Sequence, residues 1–324
     1  RYTGPGIAAS DRNRGGGVSS MVAESESVYM IANPRAGRIQ RKKRLVEGSF
    51  GAKCVWEETR GAGHAEALAY EASLRGFRWI VAVGGDGTIH EVLNGILRNL
   101  DNQSILGLIP AGTANDYAAS FTRNDPTDPT TPLRVDAGCL RWEGGCRYFA
   151  NVAGLGFSGE IARRARQMLR IPARMRYTLA LLRQLGPSYG PQGISVSFDG
   201  DAKIETETLL MSAAIGKREG SYPLHGQADL SDGLFEVLRL GRLSRRELAW
   251  HFPAMLRGVL PRNHPEVQRK RCRRIEVASP VPVPIHVDGE FPRGADPGAF
   301  TRFSLEIIPQ ALQASLLQPS VARA

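Results

Sequence analysis

At 324 residues the chain is too long for one small domain, and at about 150 residues per domain it divides into two. Hydrophobic residues are 42% and charged residues 23%, enough apolar content to bury a core, which excludes a wholly disordered or collagen-like chain. The formal charge of +10 favours an anionic partner, whether nucleic acid, anionic lipid or a phosphorylated cofactor, and does not choose among them.

Residues 1–25 are rich in Gly, Arg and Ser and carry no apolar stretch, so they read as a disordered tail without a signal peptide. No apolar run approaches the roughly 18 residues that span a bilayer. Cys54, Cys139, Cys146 and Cys272 are scattered, with neither a C-x-x-C pair nor histidines at zinc spacing. A disulfide framework is not expected, and a reducing cytoplasm is the default.

Ser27–Ala32 is a short apolar strand ending in a turn at Asn33-Pro34. His64–Leu74 has helical spacing. Trp79–Val83 is a continuous apolar run, as a buried parallel strand requires, and Thr88–Arg98 reads as a helix after it. Ile105–Ile109 is the next buried strand, with a helix expected from the following loop through Phe121. This βαβα order predicts a doubly wound parallel sheet over residues 26–132. The Pro/Asp/Thr-rich segment Arg123–Pro132 is the expected linker. Beyond it, alternating segments at Tyr148–Ala153, Ile194–Phe198, Thr208–Ile215, Leu234–Leu240 and Ile275–Val277 predict a β-rich second domain over 133–304.

The sharpest chemical signal is Gly84-Gly85-Asp86-Gly87-Thr88. A buried strand delivers the chain to a turn without Cβ atoms, so phosphate oxygens can approach backbone N–H groups at the start of a helix. Asp86 at its tip can hold Mg²⁺ or accept a proton, and Thr88 adds a hydroxyl; an ordinary Gly-rich turn capped by Asp86 is the bland alternative. Gly112-Thr113-Ala114-Asn115-Asp116 repeats the arrangement after the next strand, Asn33-Pro34-Arg35 follows the first, and Thr59 and Gly63 precede another helix. Loops at the C-terminal ends of parallel strands share one crevice, which points to a nucleotide site. No Walker motif is present, and none of these strand-end loops carries G-x-G-x-x-G.

Together Asn33-Pro34, Gly84–Thr88 and Pro110-x-Gly112-Thr113-x-Asn115-Asp116 resemble the diacylglycerol kinase catalytic domain family, which includes sphingosine and ceramide kinases and bacterial lipid kinases. The segments Asn151–Phe157, Asp232–Val237 and His286–Glu290 carry the resemblance to about Ile308. It implies an α/β nucleotide-binding domain, with a C-terminal return over 305–320, followed by an all-β sandwich with the active site between them. It further implies an ATP- and Mg²⁺-dependent phosphoryl transfer to a lipid hydroxyl, most simply that of diacylglycerol, with sphingoid bases, ceramide and phosphatidylglycerol as alternatives.

Carried over residue by residue, Asn33, Pro34, Arg35, Thr59, Gly84, Gly85, Asp86, Gly87, Thr88, Gly112, Thr113 and Asn115 would surround ATP, with Asp86 and Asp116 at the phosphates and Mg²⁺. Glu290 matches the general base of the bacterial enzymes, and Asp86 that of sphingosine kinases. Asp229, Asp232 and Leu234 match a second Mg²⁺ site, for which a hairpin turn at Asp232-Gly233 is the plain alternative. Glu160 lies near the acids that reach the lipid head group; the bacterial members commonly carry an acid where this chain has Ser158.

Between Ile161 and Leu185 every charged residue is Arg, interleaved with Met and Leu, and Pro172 divides the stretch into two helices. Such a pattern suits an anionic membrane surface and peripheral attachment to the inner membrane face, or else a solvated helix packed on the β-domain. The basic run Arg269–Arg274 reads equally as a membrane contact or a charged edge strand. No zinc finger or RNP motif supports nucleic-acid binding. A homodimer is compatible with the sequence. An NAD kinase and a non-catalytic nucleotide sensor are the rival readings.

Overall fold

The computed structural model describes residues 28–37, 39, 43, 54–121, 131–168, 171, 173–184, 190–255, 257–261, 263–292 and 298–317. The tail 1–25 and all but the last two residues of the expected linker lie outside them.

The first half begins with β1 (Val28–Ala32) and β2 (Cys54–Glu58), followed by α1 (His64–Leu74), β3 (Trp79–Gly84), α2 (Asp86–Arg98) and β4 (Ile105–Pro110). β1 lies between β2 and β3, and β3 pairs with β4, all parallel. Every residue of β1 and β3 is buried, which explains why both read as unbroken apolar runs. On one face Tyr29, Ile31, Ile80, Ala82 and Leu106 meet Ala65, Ala69 and Ala72 of α1 and Ile89, Val92, Leu93 and Ile96 of α2. The α2 contacts fall at i, i+3, i+4 and i+7, one stripe of a helix. The other face packs Met30, Val81, Val83 and Ile109 against Ile39 and Leu317.

The helix expected before Phe121 is only a 3-10 turn, Ala118–Ser120. Asn115 is the reason: its φ of 53° is left-handed, which breaks helical continuity. Its amide also closes the loop, accepting from Gly112 N at 3.0 Å and donating to Gly112 O at 2.9 Å.

The second half opens with β5 (Leu133–Trp142), β6 (Gly145–Phe149) and β7 (Val152–Gly156), and continues with α3 (Phe157–Arg166) and α4 (Ala173–Gln184). β8 (Gln192–Phe198), β9 (Ile204–Thr208), β10 (Leu210–Ala214) and β11 (Phe235–Leu240) lead to α5 (Arg245–Met255). Then come β12 (Val267–Cys272), β13 (Arg274–Val287) and β14 (Ala299–Leu316). Pairings within this half are antiparallel, β13 serving β7, β8 and β14. β14 pairs with β5 from Phe303 to Ala314, and Gln313–Leu316 pair parallel with Ile105–Leu108 of β4 on its other edge, so one strand joins both halves.

The stretch Tyr148–Ala153, expected as one strand, is the end of β6 and the start of β7, broken at Ala150-Asn151. The basic stretch forms two helices, α3 and α4, on either side of Pro172. α5 was not foreseen in the sequence, where Pro253 interrupts its pattern. The run Arg269–Arg274 falls on β12, at the end of the sheet order, and on the start of β13. Arg269 pairs with Glu236, Lys270 with Asp201 at 3.2 Å, and Arg271 with Asp232, so the charged edge strand is the reading that fits.

Candidate active site

The C-terminal ends of the parallel strands open onto a cleft of about 230 Å³. Backbone bonds lace its loops together: Asn33 N donates to Val83 O (3.0 Å), Thr59 N to Ala32 O (2.8 Å) and Ala111 N to Gly84 O (2.7 Å). The two Gly-rich loops touch through bare backbone. A Cβ on Gly112 would stand 2.5 Å from Gly85 Cα, so only glycine allows this approach. Of the anticipated nucleotide residues, Asn33, Arg35, Thr59, Gly85, Gly87 and Thr88 line the cleft. Pro34, Gly84, Gly112, Thr113 and Asn115 shape the loops without lining it.

Of the lining residues that were not anticipated, two carry charge. Arg60 adds a second guanidinium beside Arg35. Glu91 accepts from Gly63 N (2.8 Å) and Ala65 N (3.0 Å), fixing the N-terminus of α1 at the rim.

Glu290 reaches the same cleft from 200 residues away in sequence, because a tight turn at Asp288 (φ 54°) and Gly289 (φ 80°) reverses the chain after β13. Its Oε1 lies 3.1 Å from where a Cβ on Gly87 would stand, so the bare turn leaves the carboxylate room to approach. Its Oε2 pairs with Arg166 Nη1 of α3 at 2.9 Å.

Asp288 holds that turn in place. Its carboxylate accepts from the backbone N–H groups of Ala150 (2.9 Å), Asn151 (2.9 Å) and Val152 (3.0 Å), at the break between β6 and β7. His90 Nδ1 of α2 adds a fourth bond at 2.9 Å. Because Arg147 Nε donates to His90 Nε2 (3.0 Å), the imidazole proton sits on Nδ1 and points at Asp288. Burial alone would raise the Asp288 pKa, but His90 and the backbone donors outweigh it and hold it below the usual carboxylate value. Sequence reading quoted the D-G-E motif but assigned no role to its first acid, since the partners lie more than 130 residues away.

Asp86 and Asp116 do not open directly on the cleft. They share with Asp288 a smaller pocket of about 50 Å³ beneath it. Asp86 Oδ1 accepts from Tyr117 N at 3.1 Å. Burial, then the Asp116 charge, push the Asp86 pKa from 3.8 to about 7. Burial also raises Asp116, against the Ser221 N–H at 2.8 Å and Arg218 Nε at 3.4 Å. Asp116 Oδ1 is buried without a hydrogen bond. Two carboxylates raised by burial thus share this pocket, with the Arg218 guanidinium beside Asp116.

The second expected metal site has a different occupancy of donors. Asp229 Oδ1 accepts from Ser231 N and Oγ at 2.9 Å, and Asp232 takes Leu234 N (3.0 Å) and the Arg271 guanidinium. The Asp232 carboxylate is thus engaged by Arg271, while the other two ligands implied by the resemblance are backbone oxygens near Asp229 and Leu234. Among the described residues no three His, Cys, Asp or Glu side chains converge to cage a metal. Glu160 pairs with Arg163 one turn on along α3 (2.7 Å) and lines neither the cleft nor the apolar pocket beside it. The carboxylate in that apolar pocket is Glu219, which no sequence motif marked.

Residues 27–137 match the family described as diacylglycerol kinase catalytic domain, and residues 151–316 match the YegS C-terminal NAD kinase beta sandwich-like domain. The chain is 30% identical to a diacylglycerol kinase of Bacillus subtilis (strain 168), over 84% of this chain and 91% of the relative. The chain belongs to the diacylglycerol kinase family. A Mycobacterium tuberculosis (strain ATCC 25618 / H37Rv) diacylglycerol kinase is also 30% identical, over 73% of this chain and 78% of its own length. The crystal structure of a diacylglycerol kinase from Bacillus anthracis str. Sterne superposes with a TM-score of 0.66 at 18% identity, covering 91% of this chain and 98% of that one. The α/β half followed by a β-sandwich-like half is thus the family fold, and this lipid-kinase family member is a phosphotransferase with an alcohol acceptor.

Proposed function

We propose that the chain transfers the γ-phosphate of ATP to a hydroxyl of a membrane lipid, diacylglycerol first among the candidates, with Glu290 as the general base. The observation that carries this reading is the meeting of Glu290 with Gly87. A carboxylate from the second half stands against the phosphate-type turn of the first, at the mouth of one cleft. Phosphates above the N-terminus of α2 would find backbone donors, the Thr88 hydroxyl, and Arg35 and Arg60 to offset their charge. Arg166 holds one oxygen of Glu290 and leaves the other toward Gly87, aimed where an acceptor hydroxyl must lose its proton.

Asp86 serves this chemistry less well as base, because it lies in the smaller pocket and not on the cleft wall. That pocket suits Mg²⁺ better: its donors are all oxygen, the two carboxylates repel each other, and Arg218 stands 3.4 Å from Asp116 Oδ1 without a hydrogen bond to it. Held by Asp86 and Asp116, the ion would offset charge on the nucleotide phosphates. Asp288 keeps the Asp-Gly-Glu turn, and so Glu290, in register with α2.

Attachment to an anionic membrane would use the arginine-rich side of α3 and α4, where Met175 and Leu182 are exposed, together with Trp250 of α5. Among the described residues no helix is long and apolar enough to cross a bilayer.

The test is transfer of label from γ-labelled ATP, with and without Mg²⁺, to diacylglycerol, monoacylglycerol, sphingosine, ceramide and phosphatidylglycerol in mixed micelles. Label on one lipid, reduced at least a hundredfold by Glu290→Gln with binding of ATP retained, supports the proposal. Equal transfer by wild type and Glu290→Gln removes Glu290 as base. No labelled lipid at all removes the proposed acceptor class.

A further inference from the structure

Behind the cleft, an apolar pocket lies between β10, β11, α3 and α5, walled by Phe157, Leu209, Leu240, Leu248, Phe252 and Met255. One wall breaks the pattern. Glu219 and Ser158 also line this pocket, so its wall holds an acid at the edge of an otherwise apolar space.

That carboxylate is held in a defined hydrogen-bonded chain. Gly289 N donates to His286 Nδ1 at 3.1 Å, so the His286 proton is on Nε2 and goes to Ser158 Oγ at 2.9 Å. Ser158 Oγ in turn donates to Glu219 Oε1 at 2.5 Å. On the other side His225 Nε2 lies 3.2 Å from Glu219 Oε2, and Ser212 Oγ lies 3.2 Å from the same nitrogen. The site is built into the sheet: a Cβ on Gly154 would strike both Ser158 Oγ and His286 Nε2 at 2.4 Å. Burial opposes ionisation of Glu219, but the two histidines outweigh it and hold its pKa well below the usual value. His225 Nδ1 is buried without a hydrogen-bond partner. Glu219 lines the pocket as a carboxylate. About two of the four acceptor positions of Glu219 are filled by the protein, which leaves room for donors from a ligand.

Geometry also links the pocket to the cleft. Next to Glu219 in the chain, Arg218 and Ser221 N reach Asp116 at 3.4 and 2.8 Å. The bonded chain from Glu219 ends on Gly289, the residue before Glu290.

We propose that this pocket binds the aliphatic chain of an amphiphile, and that Glu219 selects its head by accepting hydrogen bonds from a hydroxyl or ammonium group. Anionic heads are rejected, because a second negative charge would meet Glu219 in a dry wall. In the lipid-kinase reading, on which this role rests, the pocket belongs to the acceptor and Glu219 is a specificity-determining residue, not the base.

The experiment measures equilibrium binding of three twelve-carbon probes below their micellar concentrations: monolauroylglycerol, dodecylamine and laurate. Wild-type protein should bind the first two at least tenfold more tightly than laurate. Glu219→Gln should bring the three to within about threefold of one another, and Met255→Trp, which fills the pocket from α5, should abolish binding of all three with the melting temperature unchanged. The tighter of the two accepted probes names the head group. Laurate bound as tightly as monolauroylglycerol, no probe bound by wild type, or binding untouched by Met255→Trp would each overturn the proposal. Labelled phosphoryl transfer to monolauroylglycerol is followed in parallel. Selective binding without transfer leaves the pocket standing and removes the acceptor reading, whereas transfer unaffected by Met255→Trp does the reverse.

Discussion

Asp86→Asn should make the ligand-free protein more stable above neutral pH while removing its activity. Burial first, then the neighbouring Asp116 carboxylate, lift the Asp86 pKa from 3.8 to about 7. Between about pH 4 and 7 the folded protein keeps a proton that the unfolded chain has released. Stability therefore falls as pH rises through that window, and the cost is complete above it. Three pKa units correspond to about 4 kcal/mol; Asp86 as a whole keeps some solvent exposure, so screening brings the expected value nearer 2 kcal/mol. Asparagine keeps the Oδ1 that accepts from Tyr117 N and discards the charge. Urea unfolding at pH 5 and 7.5, without nucleotide or divalent ion, reads the effect. Asp116 is raised as well and titrates with its neighbour, so the slope belongs to the pair, and the variant should show a shallower one. An asparagine protein no more stable than wild type at pH 7.5, with the same slope, would refute the reasoning.

Asp288→Asn should cost about 2 kcal/mol in urea unfolding, because an amide NH₂ must face N–H donors that now meet a carboxylate oxygen; Asp288→Ala, which orphans four donors, should cost more. Since the folded pKa of Asp288 is depressed, its stabilisation is present above about pH 4 and lost below, so wild type should begin to unfold in acid where Asp288→Asn shows a weaker pH dependence. Gly112→Ala places a methyl group 2.5 Å from Gly85 Cα and should separate the two loops, with a loss of about 1–3 kcal/mol and a raised KM for ATP at little change in KM for lipid.

The sequence made the α/β half readable for a physical reason. Trp79–Val83 and Ile105–Ile109 are buried on both faces, so their composition alone declares a central parallel strand, and the glycines after them mark loops that approach closely. The same reasoning overran at Asn115, where a single left-handed residue replaced an expected helix by one 3-10 turn. Glu160, placed near a lipid head group by resemblance alone, pairs with Arg163 one helical turn on. Glu219 and Asp288 were illegible for the opposite cause. Each is defined by partners from distant strands, and neither spacing nor composition encodes which strands will meet.

The number of protein donors on each buried carboxylate separates their roles. Asp288 takes four hydrogen bonds and has a depressed pKa, so its acceptor capacity is spent on holding β7, α2 and the Asp-Gly-Glu turn together. Asp86 takes one bond from a neighbouring loop, and Asp116 takes the Ser221 N–H with Arg218 3.4 Å from its other oxygen, so both keep acceptor capacity that the fold does not use. Glu219 stands between these cases, ionised and half supplied, which is why a neutral or cationic donor suits it and an anion does not. Glu290 differs from all of them. Its one ion pair, with Arg166, is partly exposed and worth little, so the carboxylate can exchange that partner for a substrate hydroxyl at small cost. A base must be able to change partners during a turnover, and of these acids only Glu290 can do so without disturbing the packing around it.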